Sequence, residues 1–216
     1  SPFPSAYGYD DYGSYNCAGP QMFVHDDVKS AIPFIEKSHA AGKPFFINLW
    51  IHEPHTPFHV DPKLQKLFPD LPEADNVYAA TLYHADLRIG QLLDALDRLK
   101  VSEDTLVIFS SDNGPARGAP NSPITLMYDS ATGPGYGIGG AKGITGGRRA
   151  FKGGLFEGGI GVPCLARWPN KIPAGRVDES SIFSAVDLLP TFCELANVKL
   201  PSSYESDGIS QVRTLM

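Results

Sequence analysis

Apolar positions along the chain fall into short blocks whose period changes from one block to the next. Val28, Ala31, Ile32 and Ile35 recur at three- and four-residue steps and predict a short helix. Pro33 is expected either in its first turns or at a kink, because deeper in a helix proline removes a backbone donor. KPFFINLWI, Lys43 to Ile51, is too short and too aromatic for the helical period and predicts a buried strand. Leu82, Ala85, Ile89, Leu92, Leu96 and Leu99 then form one stripe of a long helix, with Asp86, Arg88, Asp94 and Arg98 expected on its other faces. TLVIFSS, Thr105 to Ser111, predicts the next strand and VPCLARW, Val162 to Trp168, another. Asp187 is expected to cap a last helix through Leu189, Phe192 and Leu195, with Pro190 tolerated in its first turn. Strand and helix alternate, which predicts an α/β fold whose parallel or mixed sheet is covered by helices on both faces.

Composition narrows this picture a little. The 18 Lys and Arg against 24 Asp and Glu give a net charge of −6, which argues against a nucleic-acid surface. No apolar run approaches the roughly 18 residues of a membrane span, and the first residues lack the basic-then-apolar order of a signal peptide. Cys17, Cys164 and Cys193 are too scattered to form a CxxC pair or a disulfide framework. Residues 1–23 are rich in Ser, Pro, Gly and Tyr without any period, and are expected to be irregular surface chain or the cut end of something longer. No N-x-[ST] sequon is present.

Candidate chemistry lies where the strands end, since ligands of such sheets bind in loops beyond the carboxyl ends of strands. SSDNGP, Ser110 to Pro115, follows one apolar run and HEPHTPFH, His52 to His59, follows another. Asp112 and Asn113 offer the charged and neutral oxygens that a hard cation such as Ca²⁺ or Mg²⁺ selects, but they also suit an Asx turn with Gly114 at positive φ. His55 is a candidate acid, base or anion contact, because imidazole titrates near neutrality. His52, His55 and His59 raise zinc as an alternative; Pro54 and Pro57 prevent a helix from presenting them together, and no fourth ligand is evident. RRAFKGGLFEGG, Arg148 to Gly159, surrounds Lys152 with glycines that permit close backbone approach, and reads either as an oxyanion contact or as a flexible basic loop.

Taken in order, PFFINLWIHEPHTPF, TLVIFSSDNGP, FKGGLFEGGIGVPCLARWP and AVDLLPTFCELA resemble the type I sulfatases of the alkaline phosphatase superfamily, from about Val24 to Ser210. The resemblance implies an α/β/α sandwich around a large mixed, mostly parallel sheet, with 24–216 forming part of the catalytic domain. It implies hydrolysis of sulfate esters with a divalent cation, usually Ca²⁺. It assigns Asp112 and Asn113 to that cation, His55 to the sulfate or leaving-group oxygen, and Lys152 to the sulfate. The substrates it implies are sulfated sugars, aryl sulfates or sulfolipids, and the compartments are periplasmic, extracellular or lysosomal. The Gly-, Pro- and Ser-rich stretch 118–147 is expected to border the pocket.

Departures from the family pattern are equally definite. The C/S-x-P/A-x-R motif, whose Cys or Ser becomes the formylglycine nucleophile, occurs nowhere in the chain. Cys17 lies in CAGPQ and Cys164 in CLARW, without the required Arg. The paired aspartates expected before that motif are missing as well, since Asp10-Asp11 lies in irregular chain and Asp26-Asp27 is expected to begin a helix. The chain is therefore expected to be the later part of a longer sulfatase, to need the amino-terminal part of the same enzyme as its partner, and to be inactive alone. Gly161 stands where the family usually has Arg. The alternatives are a phosphatase or phosphonate hydrolase of the same superfamily, and a catalytically silent module that binds anionic glycans.

Overall fold

The computed structural model describes residues 3–13, 26–118, 123–129, 134–138 and 143–216. Cys17 and much of the leading segment, with parts of the 118–147 stretch, lie outside the described residues. The chain divides into two compact units, 1–99 with 111–162, and 100–110 with 163–216.

In the first unit, helix α1 spans Asp26–Ala40 and buries Val28, Ala31 and Ile35, an i, i+3, i+7 stripe. Asp26-Asp27 does begin this helix, but Pro33 lies inside it rather than in its first turns. The short helix α2, Pro62–Gln65, starts on Asp61, whose carboxylate accepts from the Lys63 N–H at 2.8 Å. Helix α3, Glu73–Arg98, packs against both. Its buried stripe is Ala74, Val77, Thr81, Ala85 and Arg88, continuing to Ala95 and Leu96. Leu82 is exposed, contrary to the predicted stripe, and Arg88 faces inward, contrary to its expected place on a solvent face. Small residues occupy the stripe and let α1 and α2 approach closely. A core forms where Phe58, Val60, Ala74, Val77 and Ala80 meet Leu64, Phe68, Tyr78, Ile124 and Tyr136.

KPFFINLWI forms no strand among the described residues. Its residues alternate between half-buried and exposed as a strand's would, with Trp50 80 % exposed, yet no ladder among the described residues pairs with it.

In the second unit, β1 (Val107–Ser110) lies antiparallel to a strand at Cys164–Arg167, with Val107 opposite Arg167 and Ser110 opposite Cys164. The remaining strands of the described chain, β2 (Ile124–Tyr128) and β3 (Gly135–Ile138), form an antiparallel hairpin in the first unit. That hairpin is followed by a one-turn helix α4, Glu157–Ile160, and Cys164–Arg167 is β4. Helix α5, Leu188–Leu195, carries Pro190 in its first turn as expected. Asp187 acts one turn earlier than predicted: it closes a reciprocal capping box with Ser184 around the 3-10 turn Ala185–Asp187. Its other oxygen accepts from the Ile209 N–H at 2.9 Å, and these backbone donors hold its carboxyl below the usual carboxylate range. Helix α6, Val212–Leu215, ends the unit.

Candidate functional site

Both predicted loops of the first unit are fixed, one by side-chain charge and one by backbone packing. In the His52–Pro57 loop the His52 carbonyl accepts from the His55 N–H at 2.9 Å, and the His52 ring Nε2 donates to the Pro57 carbonyl at 3.3 Å. These two bonds tie the ends of the loop together and leave His55 exposed at its apex. The His55 Nδ1 donates to the Thr56 carbonyl at 2.6 Å, which presents Nε2 as the nitrogen available to a ligand. The two imidazoles lie edge to face, 5.8 Å between centroids. Burial pushes the His52 ring's pKa down, against smaller opposing effects of its hydrogen bond and of Glu53.

The loop continues into the core. Phe58 exchanges backbone hydrogen bonds with Tyr136 at 2.7 and 3.0 Å and is buried. Glu53, at the loop's base, ion-pairs through Oε2 with Arg88 Nη2 at 2.6 Å, and Arg88 also pairs with Asp27 of α1. Arg88 is 5 % exposed and Glu53 9 %.

The Asp112–Pro115 and Lys152–Gly159 segments form a single junction. The Gly114 N–H donates to the Gly159 carbonyl at 2.8 Å and the Lys152 N–H to the Pro115 carbonyl at 2.9 Å. No side chain fits between them: a Cβ on Gly114 would lie 2.1 Å from the Gly158 carbonyl oxygen, and one on Gly158 equally close to that of Ala150. Gly159 is crowded in the same way, at 2.2 Å from the Gly154 oxygen. Most of the glycines of this stretch therefore serve close packing, and the flexible-loop alternative gives way. Lys152 and Gly153 are the inner residues of a β-turn closed by the Gly154 N–H on the Phe151 carbonyl, with Gly153 at φ +86°. The turn leaves the Lys152 side chain exposed at its tip. Beside it the Arg149 guanidinium stacks 3.7 Å above the Phe156 ring. Arg148 donates to the carbonyl of Gly161 at 3.3 Å, so a guanidinium reaches that position from another place in the chain.

The Asn113 amide donates to the Gly114 carbonyl at 2.9 Å, which commits its nitrogen and turns the oxygen to other uses. The exposed Asp112 carboxylate receives a long 3.5 Å contact from the Ser111 hydroxyl. Two such oxygens suit a hard cation. Among the described residues no group of three or more His, Cys, Asp or Glu side chains surrounds one point, so the fit is to part of a coordination shell. The Phe58 and Tyr78 rings are 6.1 Å apart, and Gly143 packs between the Tyr78 hydroxyl and Pro115. Arg88 and Glu53 escaped the reading of the sequence, although Arg88 continues the Val77, Thr81, Ala85 spacing and could have been found by it.

A sulfatase family model matches residues 1–198. Arylsulfatase G of Rattus norvegicus is 32 % identical over 187 residues, covering 84 % of this chain and 32 % of the rat protein. N-acetylgalactosamine-6-sulfatase of Canis lupus familiaris is 31 % identical over 195 residues, covering 88 % of this chain and 32 % of its own length. The crystal structure of Ps i-CgsB in complex with k-i-k-neocarrahexaose superposes with a TM-score of 0.70 at 31 % identity, over 87 % of this chain and 37 % of that one. The chain thus spans about a third of the length of the curated relatives it matches. The fold is that of the alkaline-phosphatase-like sulfatases, represented here by part of the α/β domain.

Proposed function

The chain belongs to the sulfatase family, and from that premise we propose that the protein containing it hydrolyses sulfate monoesters, with these residues forming one wall of the site. The observation that supports the reading is the pair of backbone hydrogen bonds that joins Gly114 and Pro115, which directly follow Asp112 and Asn113, to the Lys152–Gly159 segment. A sulfate monoester develops charge on its sulfuryl oxygens and on the departing oxygen, so groups placed against both lower the barrier. The Lys152 ammonium binds and orients the sulfuryl oxygens as a mobile point charge. His55, protonated at Nε2 and held through Nδ1, delivers a proton to the leaving oxygen. Asp112 and Asn113 hold a divalent cation, Ca²⁺ or Mg²⁺, which when bound supplies Lewis-acid neutralisation of sulfate charge. The attacking group lies outside these residues, because the formylglycine motif is absent from the sequence.

The substrate class we infer is a sulfated sugar or aryl sulfate. Relatives named for N-acetylgalactosamine 6-sulfate and aryl sulfate, and a structural neighbour holding a carrahexaose, support it. The test is turnover of 4-nitrophenyl sulfate and 4-nitrophenyl phosphate by the whole protein, with Lys152→Ala and Asp112→Ala beside it. Sulfate hydrolysis lost in both variants is expected. Hydrolysis of the phosphate alone, or no turnover with retained binding of sulfated glycans, would replace the proposal with one of its two alternatives.

A further inference from the structure

We propose that Arg88 is a positioning residue for the His55 loop, acting through Glu53; as a statement about catalysis this rests on the sulfate-ester reading above. Arg88 projects from the middle of α3, on the buried stripe where Ala85, Thr81 and Val77 precede it. A guanidinium at such a place is costly to desolvate and persists only when carboxylates surround it. Two do: Asp27 from the first turn of α1 and Glu53 from the base of the His52–Pro57 loop. The Asp27 contact ties α3 to α1, which the exposed Arg98–Glu36 pair also does. The Glu53 contact does something else. It fastens a loop residue flanked by His52 and Pro54, one hydrogen-bonded turn from His55.

The His52–His55 and His52–Pro57 hydrogen bonds fix the shape of the loop, and the Glu53 contact ties that shape to α3. The apex of the loop is exposed, and its far end is secured by the Phe58–Tyr136 bridge. The buried Arg88–Glu53 pair thus fastens the loop that carries the His52 and His55 rings to α3. Guanidinium planarity suits the task, because separate nitrogens face the two carboxylates, Nη1 to Asp27 and Nη2 to Glu53.

Imidazole ¹⁵N–¹H spectra of the 216-residue chain test the placement, using Arg88→Met, Arg88→Lys, Glu53→Gln and, as control, Arg98→Met. Arg88→Met shifts the His52 and His55 ring resonances and moves the His52 midpoint up toward that of a solvated imidazole. Glu53→Gln, nearly isosteric, reproduces the ring shifts while Asp27 still holds the helices. Arg88→Lys restores part of the wild-type pattern, and Arg98→Met leaves it unchanged. Unshifted rings in a folded Arg88→Met chain, or equal shifts in Arg98→Met, overturn the proposal; should Arg88→Met not fold, Glu53→Gln and Arg88→Lys decide it by the same readings. In the whole protein, Glu53→Gln lowers kcat for 4-nitrophenyl sulfate by roughly 10- to 100-fold with KM little changed, as outer-shell residues do. Absence of any sulfate turnover in the wild type would refute the sulfatase reading, and the ring shifts would still decide on Arg88.

Discussion

The His52–Pro57 loop is held by buried charge, Glu53 on Arg88, whereas the Asp112–Pro115 and Lys152–Gly159 segments are held by backbone against backbone, with Gly114, Gly158 and Gly159 leaving no room for a Cβ at the closest contacts. The two devices fail differently. A buried ion pair that loses one partner leaves the other charge desolvated and uncompensated, so its loss is felt throughout the unit. A glycine contact that gains a methyl group must open locally, and the turn beyond it moves. Charge thus couples a site loop to the helical core, and glycine couples two site loops to each other.

The comparison can be broken most severely at Arg88. Arg88→Met is expected to destabilise the chain by about 3–5 kcal/mol in urea unfolding, against about 0–1 kcal/mol for the solvent-exposed partner of the same helices in Arg98→Met. Equal losses would mean that burial does not distinguish the two pairs. Next comes Gly158→Ala, whose Cβ would press on the Ala150 and Arg149 carbonyl oxygens at 2.1 and 2.6 Å. A cost of about 1–3 kcal/mol is expected, with altered amide signals at both Gly114 and Lys152. If only the Lys152 side responds, the junction is not a single body. Gly153→Ala meets open space but must hold φ near +86°, which costs about 1–2 kcal/mol without disturbing Gly114.

Smaller effects separate chemistry from packing. Lys152→Ala should alter stability by less than about 0.5 kcal/mol, because the side chain is exposed, while abolishing any protection by inorganic sulfate. His52 gives a pH signature. Burial lowers its folded-state pKa below the ordinary value of about 6.5, so the folded chain binds fewer protons than the unfolded one between those two values. The stabilisation is complete above about pH 6.5 and is lost as pH falls through the folded value. Urea midpoints measured across that range should show a slope that His52→Gln removes; a slope of opposite sign would place His52 beside a dominant negative charge, and no slope would place it in solvent.

Much of this was legible in the sequence, and the exceptions share a cause. The periodic Leu82, Ala85, Ile89, Leu92, Leu96 and Leu99 made α3 visible, although its buried face runs instead through Ala74, Val77, Thr81, Ala85 and Arg88, and the polar runs after Ile51 and Ser110 marked where loops would emerge. Family resemblance rested on the same loops. KPFFINLWI did not become a strand, because alternation prescribes which side faces inward but pairing requires a neighbour that local sequence does not contain. Pro33 lies deeper in its helix than its backbone cost predicts, since the packing of Val28, Ala31 and Ile35 on α3 extends α1 through it. Arg88 was assigned to solvent by its charge, and only the folded chain reveals the two carboxylates that allow it inside. The glycines of KGGLFEGG signalled close approach, but that the close approach is to Gly114 is a tertiary fact.

The central claim is that Asp112, Asn113 and Lys152 line one small site. Mn²⁺, a hard paramagnetic cation that accepts the same oxygen ligands, reports this directly even when it binds weakly. Titrated into the 216-residue chain at low concentration, it should broaden the amides of Asp112 to Gly114 together with that of Lys152. Excess Ca²⁺ should reverse the broadening and Asp112→Ala abolish it. Broadening confined to other carboxylates, with the Asp112–Gly114 and Lys152 amides left sharp, would contradict the account.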